Sequence, residues 1–170
     1  HTLIIPYADD EASVLFDIEH QFDRLEVWPV DPARATETAR GLALDHMARL
    51  TRLPLLFANH PSRSATAIGA YGDDEPWELR ANNERAPDVY RGMEGGPGHQ
   101  AATRAPDGTG RRDDTGRPTR SRGLYRNPGA GTLGGFDQMT AIVGGLWDSM
   151  LGEGRRFWIV ASSDSHVNFT

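Results

Sequence analysis

The stretch Ile159-Val-Ala-Ser-Ser-Asp-Ser-His166 ends the last apolar run of the chain, which begins at Phe157. Phe157 to Ala161 predicts a buried strand, and Asp164 and His166 stand at its exit. Residues i and i+2 of an extended chain point to the same side, so these two side chains can face one ion. A carboxylate oxygen and an imidazole nitrogen are common ligands of zinc, manganese and iron. Alone, such a pair also fits a turn cap followed by a solvated histidine, so the reading needs a second strand end of the same kind.

Leu53 to Ala58 supplies one. This apolar strand runs into Asn59-His60-Pro61-Ser62-Arg63, again delivering a histidine at its C-terminal end. α/β barrels build their sites from side chains at the C-terminal ends of parallel strands. The alternative for His60 is a turn residue lying against Pro61. A third strand, Val89 to Glu94, exits through Glu94-Gly-Gly-Pro-Gly-His99. A carboxylate and a histidine on a glycine-rich turn can reach a substrate or a metal, or can simply line a loop.

Working outward, Leu3 to Ile5 and Ala12 to Phe16 read as strands, with Asp17, Glu19 and His20 beyond the second as ligand candidates or polar exit residues. Asp31-Pro32 has the form of a helix start, Asp as N-cap and Pro in the first turn, and the helix is expected to run to about Arg52. Asp74 to Arg85 is a shorter helix. Phe136, Met139, Ile142, Val143, Leu146, Trp147, Met150 and Leu151 recur at three- and four-residue steps, which predicts one amphipathic helix over Phe136 to Leu151. Its Gly144-Gly145 pair weakens it by about 1 kcal/mol per glycine. Strands alternating with helices indicate an α/β protein with a largely parallel sheet. The length of 170 residues suits one domain spanning residues 1–170.

Residues 100–135 differ in kind. They carry seven arginines (104, 111, 112, 117, 120, 122 and 126) against Asp107, Asp113 and Asp114, with hardly an aliphatic side chain. An insertion of this length reads as a functional lid or a tolerated surface loop, and its positive charge suits a phosphate-bearing substrate.

Composition removes several chemistries. The net charge of −6 argues against a basic nucleic-acid-binding module. Without cysteine there are no disulfides, thiolate ligands or cysteine nucleophiles. All 18 basic residues are arginine, so Schiff-base and P-loop lysines are absent and a phosphate clamp must use arginine or backbone amides. No apolar run approaches the ~20 residues of a membrane-spanning helix, no Gly-x-Ser-x-Gly elbow is present, and no signal-peptide pattern opens the chain. The abrupt start at His1 and end at Thr170 lead to the expectation that a longer polypeptide surrounds it.

Asn59-His60-Pro61 closing one strand and Ser163-Asp164-Ser165-His166 closing a later one resemble the third and fourth motifs of the PHP family (polymerase and histidinol phosphatase). Gly92-Met-Glu94-Gly-Gly-Pro-Gly-His99-Gln100 and Phe136-Asp-Gln-Met-Thr-Ala-Ile-Val-Gly-Gly-Leu-Trp147 look like a bacterial branch of its phosphoesterases, and the resemblance covers about residues 53 to 169. It implies a distorted (βα)7 TIM-like barrel holding two or three divalent ions (manganese, zinc or iron). It also implies hydrolysis of a phosphorylated small molecule or a phosphodiester. On this resemblance His60, Asp164 and His166 are metal ligands, and Glu94 and His99 are substrate-pocket residues. Arg63, three residues past His60, is the candidate catalytic arginine for phosphate charge. The family's first motif, His-x-His, is absent, as is the second motif's glutamate–histidine pair; Asp9 to Glu11 stands roughly where the latter belongs. Two alternatives stay open: a metal-poor PHP-like binding module, and a barrel amidohydrolase acting on non-phosphate substrates.

Overall fold

The computed structural model describes residues 1–63, 65, 69–72, 74–97, 115 and 136–162. It is a mixed α/β structure. Four strands, β1 (Thr2–Ile4), β2 (Leu55–Ala58), β3 (Tyr90–Pro97) and β4 (Trp158–Ser162), form one open sheet in the order β1-β2-β3-β4. Five helices accompany them among the described residues: α1 (Glu11–Phe22), α2 (Glu37–Met47), α3 (Pro76–Arg85), α4 (Gln138–Ala141) and α5 (Leu146–Gly152). β3 and β4 are parallel, with Met93 opposite Ile159 and a register shift between Glu94 and Gly96. β1 runs antiparallel to β2, pairing Leu3 with Leu56. The expectation of a largely parallel sheet therefore fails at β1. The Gln100 to Gly135 insertion lies outside the described residues except for Thr115.

The chain divides into two compact units, His1–Phe57 with Ala81–Arg91, and Ala58–Arg80 with Gly92–Thr170. In the first, the stretch expected as a second strand is instead the start of α1. Leu15, Ile18 and Phe22 recur at helical spacing, and Glu11 in the first turn accepts a hydrogen bond from the Ala8 amide at 3.2 Å. Five apolar-rich residues could not separate strand from helix; the six residues after them, to Phe22, carry the same face onward. Asp17, Glu19 and His20 thus ride on an exposed helix, where the His20 ring stacks on Phe16.

Asp31 caps as expected, accepting from the Ala33 amide at 2.9 Å, but the turn it starts is a 3-10 helix of four residues, Pro32–Ala35. Thr36 then adopts an extended conformation and caps anew, its hydroxyl accepting from the Ala39 amide at 3.2 Å. One long helix becomes two elements because a second good N-cap residue lies inside it. The later one, α2, ends at Met47, short of Arg52, after burying Gly41, Leu44 and Met47. Beside it the unit leaves a cleft of about 390 Å³ whose lining includes Leu3, Ile18, Leu44, Arg24 and Arg40.

In the second unit the helix expected over Phe136 to Leu151 is broken. α4 starts at its cap Asp137 and stops at Ile142, which is extended. Gly144 takes a left-handed φ of 75°, and its amide donates to Asp148 Oδ2 at 2.7 Å, bracing the first turn of α5. The apolar periodicity survives the break, for Met139, Leu146 and Met150 are all buried. The two glycines do more than weaken a helix; they let the chain turn between two short ones. α5 ends in a Schellman arrangement, with Gly154 at φ 73° and the Arg155 amide donating to Met150 O at 3.0 Å. β4 is half-exposed rather than buried, although Phe157 before it is fully inside. Among the described residues no helix is long and apolar enough to cross a membrane.

A Cβ on Gly145 would come within 2.7 Å of the Ile142 carbonyl oxygen, whereas nothing stands within 4 Å of one on Gly152. Gly145→Ala is therefore expected to lower unfolding free energy by about 2 kcal/mol. Gly152→Ala, which removes a poor helix former, is expected to be neutral or stabilising by up to about 1 kcal/mol. Urea denaturation of the two variants side by side checks this.

Candidate functional site

His60, Arg63 and Glu94 are the expected site residues that fall among the described ones; His99, Asp164 and His166 lie outside them. β2 ends at Ala58 and the chain turns at once, the Arg63 amide donating to His60 O at 2.9 Å. His60 sits at φ 32°, left-handed and immediately before Pro61. For a residue with a Cβ that conformation costs on the order of 1–2 kcal/mol, and a following proline restricts it further. Such a geometry persists only where the surroundings over-determine it.

Two carboxylates of the second unit do so. Glu94 on β3, 2% exposed, accepts the His60 amide on Oε2 at 2.9 Å and the Ser162 hydroxyl on Oε1. Expected as a pocket residue, it spends both oxygens tying the turn after β2 to the last residue of β4. Asp137, fully buried, accepts three bonds: the Ser62 amide on Oδ2 at 2.8 Å, the Ser62 hydroxyl on Oδ1 at 2.7 Å, and the Met139 amide on Oδ1 at 2.9 Å. Its own amide donates to Gly95 O at 2.9 Å. Neighbouring residues of β3 thus hold the His60–Ser62 turn twice, through the Glu94 side chain and through Asp137. Gln138, also buried, accepts the Gly69 amide at 2.7 Å.

The imidazole itself faces Arg63, whose Nη1 lies 3.2 Å from His60 Nε2. A guanidinium only donates, so a hydrogen bond at this contact uses Nε2 as its acceptor. An imidazole nitrogen is a common metal ligand, and of the three expected ligands His60 alone lies among the described residues. Among the described residues no group of three or more His, Asp or Glu side chains gathers around one point.

Ser62, Asp137 and Ser162 were not singled out by the sequence. Asp137 carried a legible signal as an acid just before a helical stripe, an N-cap in form. That one carboxylate would also take both donors of Ser62, 75 residues earlier, was not readable.

No family model, curated protein or solved structure matches the chain. The PHP resemblance therefore rests on the motif residues themselves.

Two outcomes follow from this geometry. Burial pushes the Asp137 carboxyl above its ordinary value of 3.8, and the Ser62 and Met139 hydrogen bonds pull it only part of the way back. Stability from this group is whole below pH 3.8 and is lost as pH rises through the higher native value. Asp137→Asn has no such proton equilibrium. The variant's stability deficit relative to wild type should therefore shrink as pH rises above 3.8 in urea titrations, and a constant deficit would contradict the displaced pKa. His60→Gly keeps the backbone bonds and removes the strain, so its melting temperature should equal or exceed that of wild type.

Proposed function

We propose that this chain belongs to a metal-dependent phosphoesterase of the PHP type, built on a distorted seven-stranded βα barrel. The observation that carries the reading is His60: a strained histidine at the exit of β2, its backbone tied to a buried glutamate and its Nε2 3.2 Å from the Arg63 guanidinium. Asp164 and His166 support it from the sequence. They follow Ser162, which is hydrogen-bonded to the same Glu94, by two and four positions. His60, Asp164 and His166 would hold the first of two or three divalent ions, with manganese, zinc or iron suiting nitrogen and carboxylate donors.

Such ions, when bound, bring the pKa of coordinated water towards 7 and offset phosphate charge. The protein's own part is to hold and orient. Glu94 fixes the His60 backbone through the amide, so the imidazole keeps one position. Asp137 fixes Ser62 and with it the start of Arg63. The Arg63 guanidinium, planar and permanently charged, pairs with two equatorial oxygens of a phosphoryl group and stabilises the charge that grows there in the transition state. His99, on the glycine-rich segment after β3, would contact the remainder of a phosphorylated small molecule or phosphodiester. An amidohydrolase reading shares the metal ligands but gives Arg63 no anionic partner.

Hydrolysis of 4-nitrophenyl phosphate and its bis-ester, with manganese or zinc added, tests the proposal. His60→Ala and Asp164→Ala are each expected to lower the rate by about 100-fold or more, and Arg63→Met by a comparable factor in kcat. Unchanged rates in the first two variants would refute the assignment. Turnover of an amide panel with no phosphoester turnover would move it to the amidohydrolases.

A further inference from the structure

The cleft of the first unit is lined by apolar side chains with a few charged ones among them. α1 contributes Leu15, Ile18 and Phe22, and α2 contributes Ala39, Ala43 and Met47. Each set recurs at three- or four-residue steps, so one stripe of each helix faces the cleft. The two alanines keep the α2 side short, which leaves about 390 Å³ where larger side chains would close the space. That volume lies at the small end of the roughly 300–1,000 Å³ of ligand pockets. The walls are held without any occupant. The Phe22 ring meets that of His46 on α2, 5.3 Å between centroids. Arg34 Nη1 donates to His20 O at 2.7 Å and to Asp23 O at 3.0 Å, tying the end of α1 to the turn before α2.

The charged groups decide what the occupant is. Arg24 lines the cleft from an exposed position just past α1, and among the described residues it has no hydrogen-bond or ion-pair partner. Arg34 is committed to two carbonyls, whereas Arg24 can turn its fork to the oxyanion of a ligand. Glu19 and Asp23 line the same cleft, and their charge opposes a second negative charge on the occupant. A carboxylate, with one charge shared by two oxygens, suits that balance better than a phosphate dianion. We propose that this cleft binds a medium-chain carboxylate, its chain between the α1 and α2 stripes and its head on Arg24. Such a site is independent of His60 and of the metal-dependent chemistry proposed for the second unit.

Octanoate titrated into the full chain by calorimetry is expected to saturate at one site. 1-Octanol has the same chain without the charge and should bind about fivefold more weakly. Hexanoate, with two fewer methylenes to bury, should bind about tenfold more weakly. Arg24→Gln should bring octanoate to the affinity of 1-octanol and leave 1-octanol unchanged. Ala43→Trp fills the cleft and should abolish binding, its melting temperature being recorded alongside to show that the fold is kept. Methyl NMR of the wild-type protein needs no variant: the Ile18, Ala43 and Met47 signals should shift along one octanoate isotherm. Absence of saturable binding, or shifts confined to methyls outside the cleft, overturns the site. 1-Octanol binding as tightly as octanoate, or Arg24→Gln without effect, overturns the anionic occupant. Undiminished binding by folded Ala43→Trp overturns its position.

Discussion

The carboxylate of Glu94 is the joint on which the second unit depends. It is buried on β3, and each oxygen holds a different strand's exit, the His60 amide after β2 and the Ser162 hydroxyl at the end of β4. A buried carboxylate is tolerable only when hydrogen bonds replace its lost water. Its position is therefore set by its donors and theirs by it, and removing any one would leave a buried oxygen unsatisfied. Asp137 repeats the principle one step away, with three donors on a fully buried side chain. A pair of buried acids is an expensive way to fix a turn, since apolar packing of similar volume is often as stable or more so. What the acids supply is direction: they hold a backbone conformation that packing alone would not select.

How much of this could be read from the sequence depends on the range of the interaction. Local chemistry was legible. Leu3-Ile4 and Leu55 to Ala58 form strands where apolar runs predicted them, Asp31 caps, and Gly154 ends a helix. Where two local signals competed, the reading failed. Ala12 to Phe16 was too short to distinguish periods of two and 3.6, and Thr36 was a second cap concealed inside a longer helical pattern. The Phe136 to Leu151 stripe kept its buried face, yet Gly144-Gly145 used a left-handed turn that periodicity does not encode. Long-range polar pairing was the least visible part. His60 and Arg63 were identifiable as neighbours on one turn. That Glu94, 34 residues on, would take the His60 amide, and Asp137 would take Ser62, depends on the packing of strands that no local window contains.

The strain at His60 connects these observations to function. Glycine or asparagine at position 60 would meet the φ of 32° at lower cost. A protein selected only for stability would favour them, and would have no reason to surround the position with two buried acids. Strain held in place by costly neighbours is expected where a side chain's chemistry, not its fit, is what must be kept. The imidazole is not part of the turn's backbone hydrogen bonding, which runs through the amide and carbonyl of residue 60. Its ring nitrogen instead holds the guanidinium three residues on. The features that secure the turn and the feature that requires it are thus separate. The carboxylates hold backbone amides and the Ser62 and Ser162 hydroxyls, while the histidine ring meets the Arg63 guanidinium.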